Sequence, residues 1–118
     1  MRRGEIWLAA LDPSVGSEAA KTRPCVIVSA DASNRVVERL SRGTVTVVPL
    51  TSNTTRVHDF QALIPPTPGN GLTADSKAQA EQVRSLDHSR LVRRLGSLDA
   101  EHLAAVDAAL MVHLDLDS

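Results

Sequence analysis

Two segments decide most of what this chain can fold into. Pro24-Cys25-Val26-Ile27-Val28-Ser29 is nearly continuous in apolar residues, and Thr44-Val45-Thr46-Val47-Val48-Pro49-Leu50 is β-branched at nearly every position. Branched side chains are stiff at χ1 and fit a pleated sheet better than a helix. A strand without polar alternation is buried on both faces, so the Pro24 segment predicts an inner strand of a covered sheet. Pro24 itself is expected at the first strand position, where no ladder donor is lost.

Other elements are arranged around this pair. Glu5 to Leu11 reads as a first strand with Ile6, Leu8 and Ala10 on one face, stopped by Asp12-Pro13. A loop from Asp12 to Thr22 follows, with Gly16 supplying an unusual backbone angle. Asp31 to Gly43 carries Arg35, Arg39 and Arg42 and reads as a loop with one short helical turn. Val57 to Ile64 is expected as a fourth strand, Pro65 to Gly71 as a hairpin connection, and residues 72–86 as the returning fifth strand, followed by an apolar strip from Leu91 to Leu95. Leu103, Val106, Leu110 and Leu114 recur at helical spacing behind Asp99, an expected N-cap with Leu98 and Leu103 as its hydrophobic staple. The alanines of that helix, Ala104, Ala105, Ala108 and Ala109, suit close approach of a second element, and we assign it to core cover and subunit contact. The sum is a mainly β fold with α: a small barrel of short strands with a C-terminal helix packed on it, in one domain spanning residues 1–118.

Composition removes several classes of function. With 118 residues, 42% hydrophobic and 23% charged, the chain matches an ordinary globular domain. Its one cysteine excludes an internal disulfide and fits a reducing compartment, so the cytoplasm is expected. No apolar run approaches the ~20 residues of a membrane span, and Met1-Arg2-Arg3-Gly4-Glu5 has no signal-peptide character. The histidines His58, His88, His102 and His113 never stand at i, i+4, so no metal site is expected. Cys25, inside an apolar strand, reads as a small buried hydrophobe rather than a nucleophile. A net charge of −1 and a lone Trp7 and Phe60 speak, on average, against a nucleic-acid partner. Yet residues 1–60 hold eight Lys/Arg against six Asp/Glu, and the rest five against eight. The bases lean to one half.

One group could carry chemistry: Glu18, Lys21, Thr22 and Arg23 before the second strand, and Thr51, Ser52 and Asn53 after the third. If those strands are antiparallel neighbours, an always-charged fork, hydroxyl donors and a carboxylate meet at one mouth. That set suits binding and polarising a phosphodiester without metal. A solvated Arg-Pro loop and an ordinary Thr-Ser-Asn turn are the plainer account of the same residues.

Gly4-Glu5-Ile6-Trp7, Leu11-Asp12-Pro13, Gly16-Ser17-Glu18, Arg23-Pro24 and Val26-Ile27-Val28-Ser29 closely resemble the opening of the MazF (PemK/Kid-like) toxin family. Val48-Pro49-Leu50-Thr51-Ser52 and Ala80-Glu81-Gln82-Val83-Arg84-Ser85-Leu86 are similar to its later strands, so the resemblance covers nearly the whole chain. It implies a small SH3-like barrel of five to seven strands and the toxin of a type II toxin–antitoxin pair. It also implies a homodimeric, sequence-selective endoribonuclease that needs no cofactor or metal. In such enzymes the ribose 2′-OH attacks the adjacent phosphorus and leaves 2′,3′-cyclic phosphate and 5′-OH ends. The family's catalytic arginine and threonine map onto Arg23 and Thr51, and its acidic loop residue onto Glu18.

An arginine of pKa above ~12 is a poor base. Arg23 therefore suits clamping the phosphate and donating a proton, and Glu18 suits accepting one. Some relatives carry histidine where this chain has Thr22. Lys21, Arg35, Arg39, Arg42 and Arg56 are candidates for RNA backbone contacts, with Thr22, Ser52 and Asn53 at the mouth. The expected partners are single-stranded RNA and a cognate MazE-like antitoxin, whose acidic segment would compete for the same arginines, up to a toxin–antitoxin heterohexamer. The alternative from another class is a CcdB-like toxin on the same barrel, which poisons DNA gyrase and cuts nothing. A regulator that keeps only antitoxin binding is the third.

Overall fold

In the computed structural model, residues 1–11 and 22–117 are described. Strands β1 (Glu5–Ala10), β2 (Thr22–Ile27), β3 (Thr44–Thr51), β4 (Gln61–Ile64), β5 (Ser76–Gln79), β6 (Arg84–Asp87) and β7 (Leu91–Ser97) form a seven-stranded antiparallel sheet. Its order is β4-β5-β3-β2-β1-β7, with β6 also on β3. Helices α1 (Asp31–Leu40) and α2 (Ala100–Leu114) complete it.

The strands singled out for their apolar content are the middle of the sheet. Val26 pairs with Val48, Cys25 with Pro49 and Ile27 with Val47. Val26, Val48 and Leu50 belong to a core cluster that also holds Val106 and Ala109 of α2. Cys25, Ile27, Val45 and Val47 face a second cluster with Val37 of α1. A helix on each face explains why these strands have no polar side. Pro24 is the third residue of β2, opposite Leu8, rather than the first.

Several expectations are corrected. Asp31 to Gly43 is not mainly loop: α1 runs ten residues. Its periodicity is hidden because Asn34, a polar residue, takes a fully buried position. Ser29 Oγ donates to Asn34 Oδ1 (2.6 Å), Asn34 Nδ2 donates to Ser29 O (3.0 Å), and Ser29 Oγ accepts from the Thr46 amide (3.1 Å). The network ties α1 to both central strands. On β1, Ile6 and Ala9 are buried, one in each cluster, because both faces are covered. The fourth strand begins at Gln61, leaving Val57 exposed. Residues 72–86 divide into β5 and β6 around a 3-10 turn, Ala80–Gln82, so β5 pairs with the end of β3 and β6 with its beginning. The expected barrel is not a closed ladder: hydrogen-bonded pairing ends at β4 and β7. One backbone bond, from the Ser97 amide to Gly69 O (2.9 Å), links the turn after β4 to β7.

Asp99 caps α2, accepting the His102 amide at 2.9 Å. That bond leads the interactions holding the Asp99 carboxyl below its usual pKa. Val106 and Ala109 face the core, whereas Leu114, expected on the apolar stripe, is exposed.

Candidate functional site

Arg23 and Thr51 stand at matching ends of the two central strands. Cys25 pairs with Pro49, and that antiparallel register, continued two residues, sets Arg23 opposite Thr51. Both line a cavity of about 470 Å³, together with Ser52. Leu8, Pro24, Leu50, Leu72 and Leu95 give it an apolar lining, while Thr73 and Ser76 add hydroxyls. Arg93 of β7 is its second guanidinium. No carboxylate lines it among the described residues. A concave site with two cations and several hydroxyls selects an anion bearing oxygen acceptors.

The hydroxyl of Thr51 is oriented by its own turn. Its Oγ1 accepts the Asn53 amide at 3.3 Å, and Asn53 Oδ1 in turn accepts the Thr55 amide at 3.3 Å. The Thr51 proton is thereby left to donate elsewhere. Asn53 builds this turn and does not line the cavity. Lys77, opposite Thr51 on β5, donates from Nζ to Arg56 O at 2.5 Å, which fastens the loop after Thr51 to the sheet.

The structure thus brings together Arg23, Thr51 and Ser52. Thr22 is exposed beside Arg23, opposite Ala10, and Arg56 is exposed in the loop after Thr51. Arg35 and Arg39 are on α1, which joins the other ends of β2 and β3, and Arg42 follows them. Four residues of strand, ~13 Å at the usual rise, separate that end from Arg23. Arg35 borders a different, polar cavity with Glu5 and Glu38. Glu18 and Lys21 lie outside the described residues. Sequence reasoning missed Arg93 and the wall from Gly71 to Ser76. An arginine alternating with Leu91 and Leu95 on one strand was the available signal.

Cys25 is fully buried, and burial pushes its thiol pKa up to about 12 against the pull of Arg23 and Arg84. It is no thiolate nucleophile at neutral pH. His58 stacks on Phe60 with ring centroids 4.9 Å apart, and His102 Nδ1 contacts Asp99 Oδ1 at 2.8 Å. Among the described residues, no three His, Cys, Asp or Glu side chains group to hold a metal ion, and no helix is long and apolar enough to cross a membrane.

Residues 2–114 match the family model of the PemK-like, MazF-like toxin of type II toxin–antitoxin systems. Endoribonuclease MazF9 of Mycobacterium tuberculosis is 53% identical over 116 residues, covering 98% of both chains. The solved MazE–MazF structure from Deinococcus radiodurans superposes with a TM-score of 0.77 at 26% identity, covering 99% of this chain and 97% of that one. The Mycobacterium tuberculosis toxin MazF-mt6 gives 0.74 at 27% identity, over 97% and 99%.

Proposed function

Since the chain belongs to the PemK/MazF family of type II toxin–antitoxin toxins, we propose that it is an endoribonuclease that cuts single-stranded RNA within the Arg23–Thr51 cavity. The observation that carries this reading is that Arg23 and Thr51, at matching ends of two paired strands, line one cavity with no lining carboxylate among the described residues. The ribose 2′-OH attacks the neighbouring phosphorus, the bond to the 5′ oxygen breaks, and 2′,3′-cyclic phosphate and 5′-OH ends remain. Negative charge grows on the phosphoryl oxygens. The Arg23 guanidinium stabilises it and supplies a proton to the leaving oxygen, and the Thr51 hydroxyl donates to a phosphoryl oxygen. Glu18 accepts the proton of the 2′-OH. No metal takes part.

The rest of the reading follows the family: one domain over residues 1–118, a sheet of SH3-like barrel type, and a homodimer in the cytoplasm. A MazE-like antitoxin is its partner, as MazE accompanies MazF in the Deinococcus structure, and an acidic segment of that antitoxin competes for the same arginines as RNA.

Purified protein incubated with mixed-sequence RNA and a chelator is expected to leave 5′-OH ends. Arg23→Ala and Thr51→Ala are each expected to lower kcat by at least about 10²-fold, with circular dichroism unchanged. Full activity in either variant overturns the site. Uncut RNA together with trapped gyrase complexes overturns the activity.

A further inference from the structure

The wall of the cavity formed by β7 has no part in the chemistry above. Arg93 and Arg94 are adjacent in sequence but are used differently. Arg94 is tied down, donating from Nε to Glu5 Oε2 (2.9 Å) and from its terminal nitrogen to Ser97 Oγ (2.7 Å). Arg93 is exposed and lines the cavity, and its side chain makes no hydrogen bond or ion pair among the described residues. Strands β2 and β7 flank β1, with Arg23 opposite Ala9 and Arg93 opposite Leu8. Two interstrand spacings put their backbones roughly 10 Å apart. Between them the cavity is lined by Leu8, Pro24, Leu50 and Leu95. Two guanidiniums beside an apolar strip, with no carboxylate lining the cavity among the described residues, match a unit that is anionic at both ends and apolar between. A nucleotide with the phosphates on either side of it is such a unit.

We propose that Arg93 is a second phosphate anchor: it binds the phosphodiester one nucleotide away from the bond that is cut, and the intervening nucleoside covers the strip between Leu8 and Leu95. This rests on the ribonuclease reading. An acidic polypeptide would also be drawn to two arginines, but a strand with evenly spaced phosphates and flat bases fits the alternation of charge and apolar surface better. The anchor grips a part of the substrate whose charge does not change during the reaction. It therefore contributes equally to ground-state and transition-state binding, unlike Arg23, and acts through KM rather than kcat. Because it contacts a phosphate, its contribution depends on salt and not on base identity.

The test uses the full chain and an oligoribonucleotide spanning a bond that the wild type cuts, with a 2′-deoxy analogue at that bond for binding. Arg93→Ala is expected to raise KM and the Kd of the analogue about tenfold, as for loss of one charge-assisted contact, with kcat within twofold. The slope of log Kd against log salt is expected to become shallower by about 0.7, the value for one contact to a single strand. Arg93→Lys should restore the slope, and Arg2→Ala should change neither quantity. A wild type that cuts RNA while Arg93→Ala matches it in KM and slope overturns the anchor alone. So does a fall in kcat at unchanged KM, or lost binding of an acidic peptide with RNA binding intact. A wild type that neither binds nor cuts RNA overturns the ribonuclease reading with it.

Discussion

The Cys25 thiol sits two residues from Arg23, and its Sγ contacts the Arg23 carbonyl at 3.5 Å. Charge from Arg23 and Arg84 favours its thiolate, yet the cost of burying a thiolate is larger and the pKa rises from 9.0 to about 12. The sign of the stability effect follows. Above pH 9 the unfolded chain loses this proton and the folded chain keeps it, so unfolding is favoured as pH rises until the folded group titrates near 12. The contribution is about 1.4 kcal/mol per pH unit across that window. Urea midpoints measured from pH 8 to 11 are expected to fall more steeply for the wild type than for Cys25→Ala. Iodoacetamide at pH 8 should label Cys25 only after denaturation. At Thr51 the hydroxyl, not the methyl, is held for donation by the Asn53 amide. Thr51→Ser is accordingly expected to keep most of the cleavage rate in a single-turnover assay, and Thr51→Val to lose it.

At the scale of elements, the cavity depends on how the turn after β4 meets β7. Gly71 has φ +73°, and a Cβ there would run into the backbone carbonyl of Leu95; a Cβ at Gly96 would meet Gly69 O. Two main chains are in contact where a side chain would separate them. Gly71→Ala is expected to destabilise the protein by about 2 kcal/mol, through overpacking and an unfavourable left-handed backbone. Because Gly71, Leu72 and Leu95 line the cavity, KM for RNA should rise as well, and thermal melts with steady-state kinetics read both. The elements differ in how legible they are from sequence. The central strands and α2 carry patterns that their own residues explain, with Asp99 as the expected cap. Helix α1 does not, because Asn34 is buried by bonding to Ser29 and not by being apolar. The division of residues 72–86 between β5 and β6 is likewise invisible locally, since both halves are strand-like and β3 is long enough to pair with each in turn.

Across the whole molecule, β2 and β3 are the shared wall of both core clusters. Neither helix can leave without exposing a face of the same two strands, so the chain is expected to unfold as one cooperative unit. Trp7 packs against the α1-side cluster, whereas α2 covers the other. Urea transitions followed by Trp7 fluorescence and by helical circular dichroism should therefore coincide, and separated midpoints would show two units. The near-neutral total charge of −1 conceals a local excess, because Arg23 and Arg93 share one cavity lined by no carboxylate among the described residues. What the sequence by itself determined is local: which strands are inner, where α2 begins, and that an arginine stands at the start of one inner strand and a threonine at the end of the other. These follow from patterns a few residues long. The cavity was decided by tertiary structure, because it is assembled from β1, β2, β3, β7 and the segment from Gly71 to Ser76. Arg93 enters it from seventy residues beyond Arg23 through strand pairing on either side of β1. Hydrophobic periodicity reports which face of a strand is buried, and it has no term for which strands become neighbours.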